Sequence, residues 1–234
     1  MKNIVIIPTL NENDNINYLF KLIVNKFKIP ILFIDDNSTD GTREKILNLS
    51  KKSKLINYIF RKKRYGIGSA HKEGIRWAYK NKFNLCFTMD ADRTHNPFEI
   101  NKMIKTLKKN NADVIITSRF LKKSSLEDWP FLRKIITKIR YYLVKIILNT
   151  RLDSSGGFRC YNISKVKKED ILLAENNGYF FLIESLFYLE RFNYKILEIH
   201  SNLKYRSSGQ SKMRLIDILS ALINLFRLSL FNKI

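Results

Sequence analysis

Leu85-Cys86-Phe87-Thr88-Met89-Asp90-Ala91-Asp92 is the stretch on which the fold turns. Leu85 to Met89 is a short apolar run without helical period, the pattern of a strand buried on both faces. It stops on two aspartates separated by one residue, and the nearby Pro97 suits the first turn of a helix. The same arrangement recurs on either side. Asn3 to Ile7 is an apolar run ending at Pro8, and Ile31 to Ile34 is another ending on Asp35-Asp36. Leu55 to Phe60 and Val114 to Thr117 repeat it, with helical segments between. Ser38-Thr39-Asp40-Gly41-Thr42 turns the chain into one of these helices with capping residues at its start. Strands alternating with helices predict an α/β fold, a mostly parallel central sheet flanked by helices. Ligands of such sheets gather outside the carboxyl ends of the strands. Both acidic clusters lie at ends of that kind.

Asp90-Ala91-Asp92 is the candidate for chemistry. Hard divalent cations take oxygen ligands, and Mg²⁺ typically joins one or two carboxylates to substrate phosphates. An isolated pair of this spacing is common in surface loops. Its position after an apolar strand, with a second aspartate pair at another strand end, favours a metal site. The chain carries 43 Lys+Arg against 21 Asp+Glu, a net charge of +22, which implies an anionic partner. Nucleic acid, lipid headgroups and phosphorylated substrates all satisfy that, but a nucleic-acid-binding protein would leave the aspartates at strand ends unexplained. Cys86 and Cys160 show no CxxC spacing and read as two buried thiols in a reducing compartment. His71, His95 and His200 show no metal-ligand spacing and each reads as structural or exposed. Gly66-Ile67-Gly68 lacks the third glycine of a dinucleotide fingerprint, since His71 stands there, and reads as a turn into a helix.

Four motifs occur in order: Pro8-Thr9-Leu10-Asn11-Glu12, Asp35 to Thr42 (DDNSTDGT), Gly66 to Ala70 (GIGSA) and Met89 to Asp92 (MDAD). Ser118-Arg119, Asp153 to Arg159 (DSSGGFR), Gly178 to Glu184 (GYFFLIE) and Arg206 to Lys212 (RSSGQSK) follow. Together they resemble family 2 glycosyltransferases of the GT-A fold, specifically the dolichol- or polyprenyl-phosphate mannose synthases, over roughly residues 4 to 213. The resemblance implies that Pro8, Glu12 and Asp36 line the base and ribose pocket of a GDP- or UDP-hexose, with Asp35 and Ala91 in the same nucleotide-sugar site. It implies Mg²⁺ or Mn²⁺ on Asp90 and Asp92, with Thr94 able to complete the metal shell. Arg206 and Lys212 would grip the diphosphate as negative charge develops on it, chemistry that needs fixed cations. Arg119 and Arg133 are the candidates for the acceptor phosphate, so Asp92, Arg119, Arg206 and Lys212 form the expected catalytic set. Two positions depart from the family. Leu10 stands where Tyr is usual, and Thr94 where Gln or Ser is frequent. Glu184, on an apolar helix, would orient the site or pair with a buried Arg such as Arg159.

The implied reaction is transfer of a hexose, mannose before glucose, to a polyprenyl phosphate with inversion in a single displacement. A phosphate monoester has a second pKa near 6, so the acceptor is already an anionic nucleophile at neutral pH and no strong base is assigned. The competing reading is a glycosyltransferase acting on a sugar hydroxyl, which requires a carboxylate base near the acceptor. Residues 1–212 read as the transferase domain and 213–234 as an apolar membrane- or partner-interface segment. Within the first, 131–149 forms a basic amphipathic interface helix: Ile135, Ile136, Ile139, Leu143, Ile146 and Ile147 recur at helical spacing, with Lys134, Lys138, Arg140 and Lys145 largely elsewhere on the wheel. Neither segment offers the ~20 apolar residues of a membrane span. The apolar run before Pro8 is too short for a signal peptide. The expectation is a cytoplasmic protein, peripheral on the cytosolic membrane face, covered by anionic lipid or a small membrane protein, with no nucleic acid as partner.

Overall fold

A computed structural model describes residues 2–127, 129–201 and 215–230. Seven strands form one sheet in the order β3-β2-β1-β4-β6-β5-β7: β1 Asn3–Thr9, β2 Ile31–Asp35, β3 Ile56–Phe60, β4 Leu85–Thr88, β5 Val114–Ser118, β6 Arg159–Asn162 and β7 Ile196–His200. All neighbouring pairs are parallel except those of β6, which runs antiparallel between β4 and β5. Helices connect the strands: α1 (Asn13–Leu19, continued by π-helical turns over Phe20–Lys26), α2 (Thr42–Lys52), α3 (Ile67–Lys80), α4 (Glu99–Asn110), α5 (Phe131–Leu148), α6 (Lys168–Leu172) and α7 (Phe181–Arg191), and α8 (Leu215–Leu230) follows β7.

Successive strand residues point to opposite faces, and both faces are filled. Val5, Ile7, Ile31 and Phe33 enter one core with residues of α1, α2 and α4. Ile4, Ile6, Leu32 and Ile34 enter a second with residues of α3, α6 and α7. This is why the central strands read as unbroken apolar runs. Cys86 and Cys160 are free thiols inside these cores, and burial raises the pKa of each.

The strand order reverses at β1: β2 and β3 lie on one side of it, β4 on the other. Pro8 marks the opening. Pairing of β1 with β4 stops at Ile6 opposite Thr88, while pairing with β2 continues to Thr9 opposite Asp35. Ile6 O accepts from Met89 N, so Pro8, two residues on, points past the end of β4, where its missing N–H breaks no ladder bond. The crevice beyond is the switch-point position at which open α/β sheets bind ligands.

A third cluster joins α5, α7 and α8 through Val144, Leu148, Phe187, Leu225 and Leu228. The opposite face of α5 is open: Phe131, Leu132, Ile136, Ile139 and Ile146 are all more than half exposed. Ile223, Phe226 and Leu230 of α8 are likewise exposed. Among the described residues no helix is long and apolar enough to cross a membrane.

Candidate active site

A cleft of about 350 Å³ opens at the switch point. Its walls are Pro8 and Thr9 at the end of β1 with Leu10 and Glu12 after it, Asp36 after β2, Arg61 and Arg64 to Gly66 after β3, and Asp90 to Asp92 after β4. Asn177, Gly178 and Tyr179, just before α7, close it. The motifs scattered along the sequence thus converge in one cavity.

The two aspartates of β2 divide their work. Asp36 faces the cleft and holds the loop after β3: it accepts from Tyr65 N at 2.7 Å and Gly66 N at 2.8 Å, and Arg61 lies 2.8 Å from it. Asp35, expected in the nucleotide site, stands behind it and is fully buried. Its carboxylate accepts from Thr9 Oγ1, Ser38 N and Arg43 Nε, at 3.1, 2.9 and 2.6 Å. Adjacent residues at a strand end point to opposite sides, so only one of the two can meet the ligand.

Gly66 begins α3 with φ +97°, a conformation few side chains adopt, and an added Cβ would fall 2.3 Å from Asn177 O. The loop after β3 therefore packs directly on the segment before α7. The turn expected at Gly66-Ile67-Gly68 is there for this reason.

Asp90 and Asp92 end β4 with different surroundings. Asp92 is buried, and its Oδ1 accepts from Thr94 N at 3.1 Å and Thr94 Oγ1 at 2.6 Å. Thr94 therefore orients the Asp92 carboxylate with the hydroxyl that was expected to complete a metal shell. Asp90 remains partly exposed, its N–H donating to His95 Nδ1 at 3.2 Å. That contact fixes the Nε2–H tautomer of His95 and gives this histidine a place in the site that its spacing did not signal. Behind Asp90 lies Gly157, where a Cβ would stand 2.9 Å from Asp90 Oδ1. The donor set suits a hard cation: two carboxylates at a cleft mouth, with no group of three or more His, Cys, Asp or Glu placed around an ion among the described residues. Such an ion would draw its remaining ligands from phosphate and water.

Arg119 is not in the cleft wall. It is buried after β5 and forked onto Asp153, with Nε 2.8 Å from Oδ2 and Nη2 2.5 Å from Oδ1, and it also bonds Ser155 Oγ. Burial pulls its pKa down, and the Asp153 carboxylate more than reverses the effect. Burial likewise pushes Asp153 up, and Arg119 more than reverses it, leaving Asp153 below the usual carboxylate value. Arg119 thus fastens the loop that carries Gly157 under Asp90. Arg133 is half-buried on α5, its guanidinium carbon 4.5 Å from the Trp129 ring centroid. Arg140, grouped with the lysines of the basic interface helix, turns inward: burial and the charge of Arg119 push its pKa down to about 10. Of the two roles open to Glu184, the pair with Arg159 is absent among the described contacts. Arg159 donates to Ser154 O and Leu182 O, each at 2.6 Å, whereas Glu184 accepts from Asn176 N at 2.9 Å. Arg206 and Lys212 lie outside the described residues. Arg61, Arg64 and Tyr65 escaped the sequence reading, although RKKRYG directly follows a strand and precedes a turn glycine, the position of a ligand loop.

The profile of Glycosyl transferase family 2 matches residues 4–170. The undecaprenyl-phosphate mannosyltransferase of Micrococcus luteus is 27% identical over 229 residues, covering 97% of this chain and 93% of that protein. The dolichol-phosphate mannosyltransferase of Pyrococcus furiosus is 34% identical over 97% of this chain, which spans 64% of that protein's length. Among solved structures, glucosyl-3-phosphoglycerate synthase from Mycobacterium tuberculosis, in complex with Mn²⁺, uridine diphosphate and glucosyl-3-phosphoglycerate, superposes with a TM-score of 0.63 at 16% identity. That match covers 99% of this chain and 79% of the other, and shows a common fold.

Proposed function

The chain belongs to glycosyl transferase family 2, and from that premise we propose that it moves a hexose, mannose before glucose, from a nucleotide sugar to a polyprenyl phosphate. The observation that carries this reading is the single cleft shared by Pro8, Glu12 and Asp36 with Asp90 and Asp92. The names of the mannosyltransferase relatives support a polyprenyl phosphate as the acceptor class. The nucleoside lies toward the ends of β1 to β3 and the diphosphate toward β4. When bound there, Mg²⁺ or Mn²⁺ on Asp90 and Asp92 neutralises the diphosphate and makes it a better leaving group. Asp36 keeps the loop after β3 against the nucleoside, Thr94 and His95 fix the two aspartates, and Arg119 with Asp153 holds the loop beneath Asp90. Arg133, with a guanidinium suited to phosphate, is placed at the acceptor. Arg119 serves it through position, and Arg206 and Lys212 keep their assignment to the leaving diphosphate.

The exposed apolar faces of α5 and α8 support docking on a membrane surface, where a long-chain acceptor resides. A contiguous apolar surface of this kind needs cover. Lys138 and Lys145, exposed among those apolar residues, favour anionic lipid. The test is direct transfer. Purified protein with Mn²⁺ and either GDP-mannose or UDP-glucose, offered undecaprenyl or dolichyl phosphate, is expected to yield a polyprenyl phosphohexose. Sugar appearing only on a carbohydrate hydroxyl, with the lipid phosphate untouched, would overturn the acceptor assignment.

A further inference from the structure

The ends of β3 and β4 are separated by two intervening strands, β2 and β1. At the usual spacing of neighbouring strands, the cleft therefore runs about 14 Å from the loop after β3 to Asp90 and Asp92. An extended nucleoside diphosphate with its phosphates at the aspartates brings its base to the β3 end. There the cleft presents Tyr65, 45% exposed although it lies in a cavity wall. Its backbone is fixed on both sides: Tyr65 N and Gly66 N both donate to Asp36, and Arg61 Nη2 donates to Gly66 O at 3.0 Å. The Arg61 guanidinium carbon lies over the ring, 5.5 Å from its centroid, and Lys63 Nζ lies over it at 5.3 Å. A part-exposed ring on a clamped backbone costs little to order when a flat ligand takes the place of one of these cations on its face. Leu10, in the same wall, offers no aromatic surface.

We propose that Tyr65 is the stacking platform for the nucleobase of the donor, with Asp36 as the post that holds it. The inference rests on the nucleotide-sugar reading of the cleft and extends it to the residue that grips the base. Stacking tolerates any base, since each presents a π-face, so discrimination between guanine and uracil falls to other groups. Tyr179, half-buried and beside Gly178, is the other tyrosine of the wall and serves as the control.

The experiment is calorimetric titration of the intact chain and its Tyr65→Ala, Tyr65→Phe and Tyr179→Ala variants. UDP, GDP and inorganic pyrophosphate are the ligands, each with Mn²⁺. Loss of one base–aromatic stack corresponds to about 5- to 150-fold weaker binding. Tyr65→Ala is expected to lose that much for the preferred nucleoside diphosphate and nothing for pyrophosphate, which has no base, while Tyr65→Phe stays within about twofold. Nucleoside diphosphate binding unchanged in Tyr65→Ala, or lost only in Tyr179→Ala, would overturn the platform and leave the reading of the cleft standing. Equal losses for nucleotide and pyrophosphate would also overturn it, by showing collapse of the Asp36 loop. Failure of the unaltered protein to bind either nucleotide would remove the reading and the inference together.

Discussion

Gly157→Ala should cripple the candidate metal site while leaving the fold standing. The added Cβ would lie 2.9 Å from Asp90 Oδ1 and 3.3 Å from Oδ2, so something must move by a few tenths of an ångström. The backbone cannot yield easily: Gly157 O accepts from Thr88 Oγ1 at 2.7 Å, and Phe158 O accepts from Thr117 N at 3.1 Å. Asp90 can, because its side chain is partly exposed. The φ of Gly157 is not positive, so alanine adds no backbone strain, and its lower unfolded-state entropy contributes about 0.4–1 kcal/mol toward stability. The net change in folding free energy should stay within about 1 kcal/mol. Metal sites tolerate about 0.2 Å of ligand displacement. Disturbing a supporting position of this kind typically weakens binding about 10- to 100-fold, or about 1.4–2.8 kcal/mol. Titration of Mn²⁺ into protein saturated with nucleoside diphosphate, followed by electron paramagnetic resonance, measures this. A thermal melt reports the fold. Asp92→Asn supplies the floor, since it removes a charged ligand outright. Gly157→Ala with unaltered Mn²⁺ affinity would refute the claim that Asp90 meets the ion in the rotamer seen here.

Asp153→Ala removes the partner of a buried guanidinium and should destabilise the protein by about 3–5 kcal/mol in urea unfolding; a loss below about 1 kcal/mol would mean that Arg119 is not held there. His71 lies fully buried, its ring 5.9 Å from that of Phe181, and burial, with Arg159 and Arg61 adding to it, pushes its pKa from 6.5 down to about 3. A depressed folded pKa contributes stability that is complete above the unfolded value and lost as pH falls toward the folded one. His71→Leu should therefore lose less stability than the parent between pH 6.5 and 4.5, and parallel curves would refute the buried neutral ring. On anionic liposomes, Ser at Ile136, Ile139 and Ile146 should reduce co-sedimentation more than Ala at Lys138 and Lys145. Each isoleucine stands to contribute about 1.5–3 kcal/mol and each lysine about 1 kcal/mol, and the reverse order would refute the apolar contact.

The parallel sheet was legible because its central strands are covered on both faces, leaving short apolar runs that no amphipathic helix imitates. The aspartates were legible because they end such runs. Other features depend on pairings that the sequence does not announce. Nothing in the sequence around Arg159 to Asn162 says that β6 enters antiparallel between β4 and β5. That insertion sets Arg159 opposite Thr88 and Ile116. The loop before β6 then brings Asp153 back to Arg119, 34 residues away in the chain. Without the insertion, Arg119 reads as a free cation awaiting a phosphate. With it, the arginine is a fastening.

The same reasoning separates what charge can and cannot say. A net charge of +22 predicts an anionic partner, yet the arginines with described contacts near the cleft are not a uniform basic surface. Arg43 is paired with Asp35, Arg61 with Asp36 and Arg119 with Asp153. Each pair fixes a loop at a strand end, so these guanidiniums shape the cavity more than they attract its ligand. The long-range attraction falls instead to exposed groups such as Arg64, Lys138 and Lys145, which salt screens. Raising ionic strength should therefore slow capture of the nucleotide sugar and weaken lipid contact while leaving the shape of the cleft intact.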